Sequence, residues 1–495
     1  MIKHVVIGLV GATALTASAL ADGAHKEAEI VHQKNISVEN TAAVTPRPAG
    51  SIYMGGFRAP AIECVRVAVI GLGERGLPQT EHFAAIPNCE VVGVCDIYSD
   101  ATDQAADFIE SKTGKRPKEY SGDPKAYLKM LKELRPDAVI INTPWETHAQ
   151  MAIDAMENGA HAFVEVPLAL TLEDLWRVVD ASERTKRHCM MLENVNYGRD
   201  ELMFLNMVRQ GLIGELLHGE AAYIHELRMQ MKSEDRGCGS WRTYHYAGRN
   251  GNLYPTHGLG PVAQYMNIAR TDDTFDRIVS FGSPALGRAA YAKKNFPADH
   301  KWNQLEYRCA DMSTSIIKTK AGRTILVQWD ETSPRPYDRK NLIQGTEGTL
   351  AGFPTRVAGE RIGYSAIEAK TKKAAEEGQP GGKEIANLGG YHRWYEGEEA
   401  LKDLYSQYDH PLYKRLGEAA KKNGGHGGMD YIMLYRVIEC LHKGEPLDQN
   451  VYEGALWSAV GPLSEKSVNE GGAPQVFPDF TRGDWKTTAP LPIIE

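Results

Sequence analysis

From position 65 onward, short uninterrupted apolar runs alternate with stretches whose apolar residues recur at helical spacing. VRVAVIG (65–71) ends in glycine, EVVGVC (90–95) is closed by Asp96, and DAVIIN (137–142), HAFVEV (161–166) and HCMMLEN (188–194) repeat the pattern. Between them, 77–86, 100–113, 124–134, 148–158 and 171–187 read as helices. Strands apolar on both faces, alternating with helices, predict a doubly wound parallel sheet of the Rossmann type over 63–195. After Asn194 the rhythm changes. Beyond a helix at 201–210, the segments 217–228, 277–283, 312–319, 324–330 and 341–345 read as strands separated by long loops. That pattern predicts an α+β domain with a largely antiparallel, open sheet over 196–495. Residues 370–425, rich in Gly, Lys and Glu, read as an irregular insertion, and helices return at 430–442 and 452–467.

Length and composition agree with two ordinary globular domains: 495 residues, 42% hydrophobic and 24% charged. A net charge of −8 speaks against a nucleic-acid partner, which needs a basic surface. Beyond the N-terminus no apolar run is long enough to span a bilayer. The N-terminus itself changes the picture. Lys3 and His4 precede an apolar run from Val5 to Leu20, and Ala19-Leu20-Ala21 is a small-residue cleavage pattern. Residues 1–21 therefore read as a signal peptide for an exported protein, periplasmic or secreted, and 22–62 as an arm. Seven cysteines without a C-x-x-C pair read mostly as small buried hydrophobes. No metal-binding motif occurs, so no metal is expected.

GLGERG (71–76) follows the first strand and opens a helix. Gly71 permits the tight turn, Gly73 lets the backbone approach a pyrophosphate, and Gly76 lets the helix pack closely. Asp96 ends the next strand, where a carboxylate holds ribose hydroxyls and repels a 2′-phosphate, so the expected cofactor is NAD. The loops NTPWETH (142–148) and Glu165-Val166-Pro167, together with Asn194, end later strands on the same edge, where ligands bind in such sheets.

In the second half, Tyr223 and His225 share one strand face, and Arg242 offers a fork of donors suited to sugar hydroxyls or an amide carbonyl. A core aromatic and a surface ion pair explain Tyr223 and Arg242 equally well on the residues alone. YPTHGLGP (254–261) places His257 where a helix can begin, held rigidly and able to exchange protons near neutral pH. Tyr337 lies in SPRPYDR (333–339) between Arg335 and Arg339, cations that would ease phenolate formation and make it a base; loop packing explains it as well. GGHGGMDY (424–431) reads mainly as a flexible loop before a helix capped near Asp430, with sugar contact by His426 the lesser reading.

GLGERG, NTP with TH, and E-x-P at a strand end resemble the glucose–fructose oxidoreductase and inositol dehydrogenase superfamily. Where that superfamily often carries Glu-Lys-Pro, this chain has Glu165-Val166-Pro167, so a group usual in an ordinary dehydrogenase is missing. The finer resemblance, on GLGERG, NTPWETH, EVP, GSWRTYH, NLYPTHGLGP, SPRPYDR and GGHGGMDY, is to glycoside hydrolase family 109, the NAD-dependent α-N-acetylgalactosaminidases. It implies cofactor contacts from Arg75, Gly76, Asp96, Trp145, Glu146, Thr147, His148, Glu165, Val166, Asn194 and Tyr254. It implies substrate contacts from Tyr223, Arg242, Tyr254, Pro255, Thr256, His257 and Tyr337. Many relatives carry a twin-arginine export signal, which this N-terminus lacks. The implied reaction is hydrolysis of a terminal α-linked N-acetylgalactosamine on a glycan by oxidation at C3, elimination, water addition and re-reduction. In it His257 exchanges protons and Tyr337 is favoured as the C2 base, although the two roles are interchangeable. A sugar dehydrogenase and a non-catalytic sugar-binding protein stay open as other readings, as does a homo-oligomer.

Overall fold

The computed structural model describes residues 46–362, 373, 375–379 and 393–495. The expected signal peptide and part of the arm lie outside these residues, as does much of the expected insertion. Strands β1 (Val65–Ile70), β2 (Cys89–Cys95), β3 (Lys118–Tyr120), β4 (Ala138–Ile141), β5 (His161–Val164) and β6 (Cys189–Met191) form one parallel sheet in the order β3-β2-β1-β4-β5-β6. Every link is a right-sized helical crossover, as the alternating pattern required. The order reverses beside β1, which puts the crevice for a dinucleotide at the C-terminal ends of β1 and β4.

Side chains of β1 alternate between two cores. Ala68 and Ile70 face the helices His148–Glu157 and Leu172–Thr185, while Val65, Val67 and Val69 face the opposite layer. That opposite layer includes chain from far away in sequence. Helices Pro411–Asn423 and Met429–Lys443 pack there through Leu412, Leu416, Ile432, Val437 and Leu441. The Leu441 carbonyl also accepts from the Ile62 amide. The two sheets therefore divide the sequence near residue 195, but the C-terminal third returns to the first sheet.

Among the described residues the second sheet has nine strands. In chain order they are β7 (Leu216–Ile224), β8 (Phe275–Gly282), β9 (Ser313–Thr319), β10 (Thr324–Asp330), β11 (Leu342–Gly345), β12 (Gly348–Ala351), β13 (Arg356–Gly359), β14 (Tyr395–Glu396) and β15 (Gln475–Val476). Their order is β14-β13-β12-β11-β7-β10-β9-β8-β15, antiparallel except for the pair β7 and β10. Helices Thr256–Tyr265 and Val460–Asn469 cover one face.

Two expectations need correction. The stretch 370–425 is not irregular throughout: its described end holds the helices Glu398–Tyr408 and Pro411–Asn423. The segment around Arg242, given no element by the sequence pattern, is a helix, Cys238–Gly248. All seven cysteines are free thiols; Cys64 is exposed, Cys89 and Cys238 are partly buried and the other four are buried. No helix among the described residues is long and apolar enough to cross a membrane.

Candidate active site between the two sheets

The glycine turn has the shape its spacing foretells. Gly71 adopts φ +87°, and a Cβ added at Gly76 would stand 1.8 Å from the Gly71 carbonyl oxygen, so only glycine lets the helix Gly76–His82 start this close. A Cβ at Gly73 would meet nothing within 4 Å, which leaves its backbone open on the ligand side. Asp96 Oδ2 accepts from the Leu72 amide at 2.7 Å, and Oδ1 accepts from the Tyr98 amide at 3.0 Å. The carboxylate thus braces the turn and keeps lone pairs for ribose hydroxyls. Both amide atoms of Asn142, after β4, and the Oδ1 of Asn194, after β6, are buried without a protein partner. Buried polar groups of this kind call for a ligand or water, and this set fits a dinucleotide.

Arg75 does more than face the cofactor side. Its Nε donates to Glu165 Oε1 at 2.7 Å, while Nη1 and Nη2 donate to the two oxygens of Asp430 at 2.7 and 2.9 Å. Gln79 also donates to Glu165, and Asn194 Nδ2 donates to Asp430 Oδ1 at 2.7 Å. His426 Nδ1 lies 2.7 Å from Asp430 Oδ2. Burial alone would raise the Asp430 carboxyl, but the His426 and Arg75 contacts hold it far below the usual range. The helix expected to be capped near Asp430 has Gly428 as its N-cap, and Asp430, in its first turn, ties this helix to the glycine turn.

Along the next loop, Thr147 Oγ1 sits 2.7 Å from both Thr143 Oγ1 and the Pro144 carbonyl, closing the turn. His148 is fully buried, with its ring nitrogens 2.7 Å from the Pro167 carbonyl and 2.8 Å from the Thr143 carbonyl. The ring thus lies between two loops, with both nitrogens against protein carbonyls. Glu146 pairs with His245 at 3.2 Å. Val166 is buried beside Glu165 and precedes Pro167 through a cis bond.

Trp145 joins the two halves. Its ring centroid lies 5.0 Å from Trp241, 5.2 Å from His245 and 5.8 Å from Tyr254. The Arg242 guanidinium stands 5.0 to 5.2 Å from the rings of Trp145, Trp241 and Tyr254, with its Nε buried and unpartnered. An aromatic box around a cation with an unused donor can present that donor to a neutral carbonyl. Tyr254 then packs 5.1 Å from Tyr223 and 5.0 Å from His257, and Tyr223 Oη lies 2.9 Å from His225 Nδ1. Tyr337 edges onto His225 at 4.9 Å and Tyr223 at 6.1 Å.

His257 stands in the first turn of Thr256–Tyr265, a helix N-capped by Pro255, with the Thr256 hydroxyl buried and unpartnered. Its Nδ1 lies 2.7 Å from Glu193 Oε1. Glu193 is fully buried, and its Oε1 also accepts from the Val195 amide at 3.1 Å. The approach depends on Gly260, where a Cβ would fall 2.9 Å from Glu193 Cγ. A buried carboxylate accepting from Nδ1–H leaves Nε2 with its lone pair. Tyr337 departs from expectation. Burial raises its phenol above the ordinary value and outweighs Arg339, whose Nη1 donates to Tyr337 Oη at 2.8 Å; Arg335 instead pairs with Asp338 at 3.5 Å. The phenol therefore stays protonated near neutral pH.

The structure thus gathers Tyr223, Arg242, Tyr254, Thr256, His257 and Tyr337 in one cluster against Trp145, and Glu165, Arg75 and Asn194 in an adjoining one. Sequence reasoning missed Glu193, Trp241, His245 and the tie made by Asp430. Glu193 alone had a visible signal: an acid directly after the apolar run CMML, next to the chosen Asn194.

Residues 197–487 match the family described as glycosyl hydrolase 109, C-terminal domain, and residues 65–193 match the oxidoreductase family, NAD-binding Rossmann fold. The chain is 63% identical over 450 residues to glycosyl hydrolase family 109 protein 1 of Akkermansia muciniphila, covering 91% of this chain and 89% of that protein. It is 53% identical over 455 residues to the alpha-N-acetylgalactosaminidase of Shewanella oneidensis, covering 92% and 93%. Among solved structures, an NAD-binding oxidoreductase from Klebsiella pneumoniae superposes with TM-score 0.61 at 15% identity, over 84% of this chain and 99% of that one. Levoglucosan dehydrogenase in complex with NADH and levoglucosan gives 0.59 at 17% identity over the same shares. At such identities these structures bear on the fold.

Proposed function

Because this chain belongs to glycosyl hydrolase family 109, with a Rossmann half that binds NAD, we propose that it is an exported α-N-acetylgalactosaminidase. It would release a terminal α-linked N-acetylgalactosamine from glycans. The relative of that activity at 53% identity supports the substrate class. The apolar run from Val5 to Leu20 with its cleavage pattern supports export.

The observation that carries the mechanism is the Glu193–His257 contact at 2.7 Å, beside a Tyr337 that keeps its proton. Gly71, Gly73, Gly76 and Asp96 would hold the pyrophosphate and ribose, with Asn142 and Asn194 lining the same edge. Bound NAD would supply a hydride acceptor, and later donor, for carbon 3 of the sugar, the C3 hydroxyl proton passing to solvent on oxidation and returning on re-reduction. With carbon 3 a ketone, the proton on carbon 2 is acidic, and the chain's task becomes proton transfer. His257 Nε2 accepts the C2 proton while Glu193 steadies the imidazolium through Nδ1–H. The C2–H electrons form the double bond to C1 as the C1–O bond breaks, and Tyr337 gives its proton to the departing oxygen. The Arg339 guanidinium stabilises the phenolate that results. Water then adds at C1, giving its proton to Tyr337, and His257 returns the C2 proton. Arg242 offers its unused Nε–H to the acetamide carbonyl, and the rings of Trp145, Tyr223 and Tyr254 exclude water. This assignment exchanges the roles the sequence favoured, making His257 the base and Tyr337 the acid.

The direct test supplies purified protein with an α-linked N-acetylgalactosaminide and no added NAD. Release of the free sugar, with NAD recovered from the denatured protein, is expected. No release from cofactor-loaded protein would contradict the reading.

A further inference from the structure

Aromatic side chains continue outward from the site after the catalytic cluster ends. Tyr337 stands on the site's outer edge with its ring partly exposed and its hydroxyl held by Arg339, and Phe353 packs against it at 5.8 Å between ring centroids. Phe353 occupies the turn between β12 and β13 with φ +52°, a left-handed conformation that a bulky side chain rarely adopts. The strain holds a ring that is itself a third exposed, and the Arg339 guanidinium supports it at 4.8 Å. Such an outlier beside a site points to a use for the side chain. A second exposed ring follows. Trp394 immediately precedes β14, the strand paired with β13, and the Arg356 guanidinium stands 4.8 Å from its centroid. Arg356 also donates to the Pro354 carbonyl at 3.0 Å, which ties the tryptophan to the Phe353 turn. Neither ring belongs to either large core.

We propose that Phe353 and Trp394 form an aglycone platform, binding the sugars that remain after the terminal residue is cleaved. The proposal rests on the glycosidase reading above. Pyranose rings present flat C–H faces that stack on exposed aromatic rings, and a row of such rings leading out of a sugar site suits a glycan chain better than a compact leaving group. Arginines buttress the rings, lowering the entropy lost when a flexible glycan settles on them.

The test compares kcat and KM for methyl α-N-acetylgalactosaminide and for a trisaccharide with the same terminal sugar, in wild type, Trp394→Ala and Phe353→Ala. Wild type should have a lower KM for the trisaccharide. Trp394→Ala should raise that KM about threefold to tenfold, the range of one lost aromatic stacking contact, and leave kcat and the methyl glycoside unchanged. Phe353→Ala should raise it at least as much. The methyl glycoside also reports whether each variant is folded. Wild type and Trp394→Ala showing the same preference between the two substrates would overturn the platform while leaving the hydrolase reading intact. Wild type releasing sugar from neither substrate would overturn both.

Discussion

At the residue scale the account turns on one contact, Glu193 to His257. His257→Ala and Tyr337→Phe should each lower turnover by about a hundredfold or more, the usual range for losing a general base or acid. NAD should remain bound, because neither side chain touches the glycine turn. Glu193→Gln is the sharper probe. Its amide can donate to Nδ1 and so favour the tautomer that occupies Nε2, which should cut kcat about a hundredfold with little change in KM. An equal rise in KM would indicate a loosened site instead. His257 and Tyr337 were legible in the sequence because each sits in a proline-bounded motif that fixes its backbone. Their protonation roles were not, because these follow from burial and from partners 64 residues away for His257. Flanking arginines looked sufficient to acidify Tyr337, yet desolvation of a phenolate is the larger effect.

At the element scale, the central strands of both sheets could be read from their apolar runs and periods, since each period reflects which faces are buried; the short strands β3 and β12 to β15, of two to four residues, were not read. What could not be read was how helices from the last third return to the first sheet. The charged stretch before residue 425 hid the i, i+4 row Leu412, Leu416 and Ala420, which the structure buries against β1 and its neighbours. The tie between these helices and the glycine turn is the Arg75–Asp430 pair. Asp430→Asn removes one of two carboxylates from a largely buried guanidinium, which should cost roughly 2–3 kcal/mol and weaken NAD retention. Unchanged melting and retention would show the tie to be dispensable. A second expectation concerns β5 and β6. The His188 ring lies 5.0 Å from His161, and burial lowers both imidazoles, His188 to about 4 from 6.5. Unfolding therefore takes up protons below pH about 6.5, so stability is full above that pH and falls as pH drops toward 4. Melting temperatures should decline across this window, and His188→Phe should flatten the decline; an equal slope in the variant would assign the loss elsewhere.

At the scale of the whole molecule, a dinucleotide fold and a glycosidase site face one another across Trp145 and Tyr254. The arrangement suits an enzyme that keeps its cofactor, since each cycle of the proposed reaction would restore the oxidised form and a protein exported as proposed would have no free pool to draw on. The most direct test of that claim is turnover in heavy water with excess α-N-acetylgalactosaminide. The released sugar should carry deuterium at C2, taken up while His257 holds the exchanged proton. Deuterium placed beforehand at C3 should remain on the product, and reduced cofactor should not accumulate. An oxidised sugar formed in step with free NADH, with the C3 label lost to the cofactor, would contradict the account.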